Sequence, residues 1–309
     1  MTLVTTTNIN MSTRCSSSPA DDEKPLSRAV SKEYLLSPNF TPKYMTLILQ
    51  ESILLLAGAA AILLQLAEPD IAAGVSKHSN FVYRVLDRLR TTMTFMYGMV
   101  YGTPEERKMI MDMITKIHSR VSGTLKEGQN RGKPYSALDP ELQMWVAATL
   151  YATGIDLYQR VWGKIKDEQV QDNIYFEYSI FACSLQVPEE MWPASRKDFW
   201  KYWDHKIATV EVTQQAKKVC NEIMYLRHIP VYLRILLPII RVCTSAFLPG
   251  RIRKEYGLDS HYWTYKIVEW LIKALYRPLP LRIRSFLVRF YLRDMRMRLA
   301  SRKKIFEKA

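Results

Sequence analysis

The sequence predicts an all-α protein: one large helical domain over residues 44–280, behind a loose polar extension (1–43) and ahead of a basic amphipathic C-terminal helix (281–309). Long apolar segments with a helical period outnumber short alternating ones, and glycine is scarce at eleven, which argues against a sandwich or barrel. Hydrophobic residues make up 48% of the 309, with seven Trp and eighteen Tyr, ample for a buried core. No repeat and no Gly/Ser linker divides the chain.

Residues 1 to about 40 are polar, with Ser16-Ser-Ser-Pro19 and Asp21-Asp-Glu-Lys-Pro25. Tyr44–Ala67 is the most apolar stretch, but Gln50 and Glu51 interrupt it and leave a clean run of about 16 residues, against ~20 for a membrane span. A buried core helix is the expectation, ended by Glu68-Pro69-Asp70. Phe81–Tyr101 reads as the next helix, stopped at Gly102. Thr103 is a good N-cap for the one after it, with Pro104 at the first position and Glu105-Glu106 facing the dipole. That helix is expected to run to about Ser122, where Gly123 closes it. The glycine-rich 126–134 segment is a loop. Asp139-Pro140-Glu141 opens a helix to about Trp162. Further helices are expected near 167–185, 195–208 and 213–226, with Ser195 and Thr213 as caps. The apolar 229–248 stretch is broken by Arg234, Pro238 and Arg241 and makes a poor membrane span.

Four widely spaced cysteines (15, 183, 220, 243) and five scattered histidines suggest neither a zinc site nor a disulfide framework. The N-terminus lacks the apolar stretch of a secretory signal, so an intracellular setting is expected. Of the net charge of +14, the stretch from Arg277 onward holds eleven Lys/Arg against two Asp/Glu, a local +9. Within it Arg282, Arg289, Arg293 and Arg296 share one stripe roughly 60° wide, with Leu287, Val288, Tyr291, Met295 and Leu299 opposite. This pattern suits an anionic membrane surface, and a protein peripheral to the endoplasmic reticulum or another membrane. No nucleic-acid motif accompanies the charge, so no nucleic-acid partner is expected.

Two residue groups could carry chemistry. On the 81–101 helix Arg84, Arg88, Thr91, Thr92, Phe95 and Met99 fall on one side. They could line a pocket, or form a solvated arginine beside a core seam. His118 shares a stripe with Met111, Ile114 and Val121. A neutral imidazole there could ligate a metal or heme, or be a core histidine satisfied by a carbonyl. The chain holds no GxSxG elbow, Walker loop, GxGxxG after a strand or HExxH, which leaves hydrolase and nucleotide chemistry little support.

Several motifs occur in order: Ala61-Ile-Leu-Leu-Gln-Leu-Ala-Glu-Pro69, Gly74-Val-Ser-Lys-His-Ser-Asn-Phe81, Tyr101-Gly-Thr-Pro-Glu-Glu106, Ile117-His-Ser-Arg-Val-Ser-Gly123, Tyr135-Ser-Ala-Leu-Asp-Pro-Glu-Leu-Gln-Met-Trp-Val146 and Phe247-Leu-Pro-Gly-Arg-Ile-Arg-Lys-Glu-Tyr-Gly257. Over roughly 45–260 the chain resembles the rubber oxygenase family, which includes latex-clearing proteins and the MpaB-type oxygenases of fungal terpenoid-polyketide pathways. Each motif alone is weak; their joint order is specific.

The resemblance implies an all-helical fold and an oxygenase. It implies heme b, an apolar isoprenoid-like substrate whose carbon–carbon double bond is oxidised or cleaved with dioxygen, and a setting in secondary metabolism. The family's proximal histidine falls on His118, the expected metal ligand. Its distal Arg-x-x-Lys-Thr pattern falls on Arg88, Thr91 and Thr92, giving Arg88 and Thr92 catalytic roles and setting Thr91, a cofactor-contacting position, where the lysine would be. Two further departures are Glu68, where many relatives have His, and Ala60, where many bacterial members have Arg. The rival expectation from another class is a non-catalytic membrane-peripheral helical protein that binds lipid or a partner.

Overall fold

The computed structural model describes residues 28–78, 85–226 and 234–306, without the side chains of 78 and 302–306. The expectations placed on Cys15, Phe81, Arg84, His228 and the side chains of 302–304 lie outside these residues. Helix dominates the rest, as the periodicity predicts. β-Structure among the described residues is confined to two three-residue strands, Ser122–Thr124 and Pro134–Ser136, paired antiparallel with Gly123 opposite Tyr135.

The 23-residue helix Pro140–Trp162 runs through the middle of the core. Asp139 caps it by accepting from the Glu141 amide at 2.8 Å, and Gly163 ends it at φ 96°, where a Cβ would be strained. Trp145 is fully buried, and its indole N–H donates to the Leu64 carbonyl at 3.0 Å. The Leu55–Leu66 helix packs against this rod and against Leu237–Phe247. Ala57, Ala60, Leu63, Leu64 and Leu66 are buried there, so the most apolar stretch of the sequence is a core helix. Pro69 then opens Pro69–His78, and the two segments bend by 106°. Among the described residues no single helix is long and apolar enough to cross a membrane, although this bent pair passes by length and composition together.

Three sequence expectations need correction. The polar extension ends earlier than residue 43: Ala29, Val30, Leu35 and Phe40 are buried in the main core. The 3% exposed Glu177 carboxylate accepts from the amides of Lys43, Tyr44 and Met45, and Ser179 accepts from Val30. Arg107, only 4% exposed, donates to the carbonyls of Leu35, Phe40 and Met99 and lies over the Phe40 ring at 4.7 Å. A low average hydropathy conceals these few anchors.

The helix opened by Thr103 ends at His118, four residues short of the expected Ser122. Gly123 belongs to the hairpin rather than to a helix cap: a Cβ on it would meet the Tyr135 hydroxyl at 2.8 Å. Val121 therefore leaves the His118 stripe and packs with Ala73, Leu125 and Tyr135.

The C-terminal helix, Phe286–Phe306, lies on Val85–Tyr101 rather than standing apart as a tail. Val288, Tyr291 and Met295 are buried, the Tyr97 and Tyr291 rings are 6.1 Å apart, and Asp294 bridges Arg90 and Arg298. The apolar side that would enter lipid is thus spent on the domain. Arg296 pairs with Glu106, leaving Arg282, Arg289 and Arg293 exposed.

Candidate functional site

Val85–Tyr101 and Pro104–His118 form an antiparallel hairpin joined by a turn at 102–103. The turn is fixed by a full capping box: Thr103 Oγ1 accepts from the Glu106 amide at 3.2 Å, and the Glu106 carboxylate accepts from the Thr103 amide at 3.0 Å. Helical rise then dictates what meets at the far end. Arg88 and His118 lie 13 and 14 residues from the turn, each roughly 20 Å along its helix. The hairpin thus brings the expected ligand and the expected distal arginine to one end.

His118 is half-buried, and its Nδ1 is a buried polar atom without a hydrogen-bond partner. Burial first, and then the positive charge of Arg88, hold the imidazole below its ordinary pKa, which favours the neutral ring. The carbonyl that would satisfy a core histidine is missing at Nδ1. Arg88 keeps an exposed surface, yet its guanidinium is crowded enough that desolvation lowers its pKa.

The rest of the stripe divides. Phe95 and Met99 turn into the core, and Thr92 is exposed. Thr91 is half-buried, and its hydroxyl donates to the Asp87 carbonyl of its own helix at 2.9 Å. Two pockets, of about 470 and 230 Å³, open elsewhere; neither is lined by Arg88, Thr91, Thr92 or His118. Arg84, the first residue of that stripe, lies outside the described residues.

The departures from the family pattern have structural counterparts. Glu68 is ion-paired with Lys206, whose ammonium stands 5.5 Å from the Trp145 ring centroid. Ala60 is 0% exposed, packed where an arginine side chain would have no room without rearrangement. Glu51, a break in the apolar run by sequence, is 3% exposed, pairs with Arg284 and accepts from the Tyr276 hydroxyl at 2.8 Å. Sequence spacing could not reveal that partnership across more than two hundred residues. Cys183, Cys220 and Cys243 are free thiols pushed up to about 12, 12 and 11 by burial, which makes them poor nucleophiles.

The imidazole is of the kind a heme would ask for, although neither pocket reaches it. Among the described residues no three His, Cys, Asp or Glu groups cluster as a ligand set for a bare ion. A porphyrin supplies four nitrogens of its own and asks the protein for one neutral imidazole, which His118 offers.

Comparison with known proteins identifies the family but not the roles of these residues. The chain is 30% identical over 252 residues to an uncharacterized protein of Mycobacterium tuberculosis and to another of Mycobacterium bovis, covering 79% of this chain and 97% of each relative. No solved structure matches it. It matches the family described as ER-bound oxygenase mpaB/B'/rubber oxygenase, catalytic domain, over residues 45–276, and the chain belongs to that oxygenase family.

Proposed function

We propose that the protein is a heme-dependent oxygenase that oxidises or cleaves a carbon–carbon double bond of an apolar, isoprenoid-like substrate in secondary metabolism. The observation that supports this best is the buried, neutral, unpartnered Nδ1 of His118 at the end of the hairpin that also carries Arg88. When bound, heme would supply the activation of dioxygen, and His118 would hold it. Cleavage balances without a further reductant: one double bond and one dioxygen become two carbonyl groups.

The chain's own residues have defined parts. Arg88 is a permanent cation in a partly desolvated place, suited to stabilising negative charge that develops on oxygen. Thr92 would add a hydroxyl donor from the same stripe. Thr91 supplies no amine in the lysine position, and its hydroxyl is committed to Asp87. The family's ER-bound members support a membrane-peripheral location, which also suits a greasy substrate.

The test is the absorption spectrum of full-length protein expressed with heme supplied. A Soret band near ~400 nm that disappears in His118→Ala supports the reading. A colourless wild type refutes it and favours the non-catalytic, lipid-binding alternative.

A further inference from the structure

The helix Tyr262–Tyr276 turns one side inward and leaves the other bare. Tyr265 is buried with its ring 5.9 Å from that of Phe247. On the outer side Trp263, Ile267, Trp270, Leu271 and Leu275 are exposed, the two tryptophans at 78% and 66%. Their spacing of four, three, one and four places them on one stripe roughly 140° wide. Single exposed apolar residues are ordinary, but a contiguous stripe with two tryptophans marks a contact surface.

Beside this stripe, at the N-terminal end of the same helix, opens the pocket of about 230 Å³. Arg160, Arg253, His261 and Lys266 line it together with Ser245 and Ser260, and no carboxylate is among its lining residues. Arg160 is partnered by Asp156 and Lys266 by Glu269, whereas Arg253 donates to a neutral acceptor, the Ser245 carbonyl, at 3.4 Å. Lys266 belongs to both features: it lines the pocket and borders the stripe between Trp263 and Trp270.

We infer that this end of the molecule docks on an anionic phospholipid bilayer, with a lipid phosphate in the Arg253–Lys266 pocket and the Trp263–Leu275 stripe in the interface. A bilayer surface presents an anionic layer directly over an apolar one, and the helix presents a cationic pocket directly beside an apolar stripe. Tryptophan, with an apolar body and one N–H donor, is suited to that boundary. A second copy of the chain fits less well: a two-fold contact would bring like surfaces of a +14 protein together. The inference rests on the membrane part of the proposed function and is independent of heme.

The experiment is co-sedimentation of the full chain with phosphatidylcholine vesicles, alone or with roughly 20% phosphatidylserine. Wild type is compared with Trp263→Ala/Trp270→Ala and with Arg253→Gln/Lys266→Gln, all checked for an unchanged far-ultraviolet spectrum and melting temperature. The expected result is binding of wild type to the anionic vesicles, a loss of at least about tenfold in the tryptophan variant, and loss of the anionic preference in the pocket variant. Wild-type binding retained by both variants overturns this surface while leaving a membrane address intact; no binding by wild type overturns both. A wild-type dimer that dissociates in the tryptophan variant, with vesicle binding unchanged, also overturns it by assigning the stripe to self-association. Inorganic phosphate that binds the pocket without any wild-type vesicle binding does the same, by making the anion a free one.

Discussion

The charge of Arg88 reaches the imidazole of His118 from the neighbouring helix and, after burial, is the second influence that keeps that ring neutral. The two residues are thirty positions apart, joined by a hairpin whose two arms match in length. The relationship links the proposed heme ligand to the residue proposed to act on oxygen. It also means that removing Arg88 should raise the His118 pKa towards its ordinary value.

His118→Ala should purify without heme, its Soret absorbance at background. Arg88→Ala should retain heme but turn over an apolar diene more slowly, by about 10²–10³-fold, because an arginine donor to developing charge is lost. Spectra and oxygen-consumption rates of both variants check this. Equal heme loss in the two would contradict the separate roles.

Arg107→Ala should cost about 3 kcal/mol or more, since several hydrogen bonds from one buried cation are lost together. Arg107→Met keeps the apolar stem but leaves the same carbonyls without a donor, so it should be nearly as unstable. Urea unfolding measures both; losses below ~1 kcal/mol would show that residues 28–43 are held by other contacts.

Thr103→Ala removes the capping oxygen at the turn of the hairpin and should destabilise by about 1 kcal/mol, while Thr103→Ser should be close to neutral. Thermal melts compare the two. A serine variant as unstable as the alanine one would mean that the threonine methyl, not the cap, is what matters.

Asp294 sits between Arg90 and Arg298 with Tyr291 nearby, and its hydrogen bond from Arg90 is the main reason its carboxyl titrates below the usual 3.8. A carboxylate depressed in the folded state contributes stability above its ordinary value and loses it as pH falls through the depressed one. Protection of 286–306 against hydrogen exchange should therefore weaken below about pH 4. Asp294→Asn should show the weakened protection already at neutral pH. Identical protection profiles for the two proteins would remove Asp294 from the docking of this helix.

Local chemistry determined much of this protein from sequence alone. Thr103, Asp139, Ser195 and Thr213 are N-caps in the structure because a short polar side chain before a helical run satisfies amides within its own turn. The ordered motifs pointed to the oxygenase family, and the hairpin register then placed Arg88 and His118 at one end. Tertiary contacts decided what local pattern could not. The helix ends at His118 because Gly123 and Tyr135 pair across a strand, and Glu51 is tolerated in the core because Arg284 and Tyr276 come to it from the far end of the chain. Amphipathicity shows that a helix has an apolar side, but not what covers it. In Phe286–Phe306 the buried side lies on Val85–Tyr101, and in Tyr262–Tyr276 an apolar stripe stays bare, because the described residues offer a facing surface to one and none to the other.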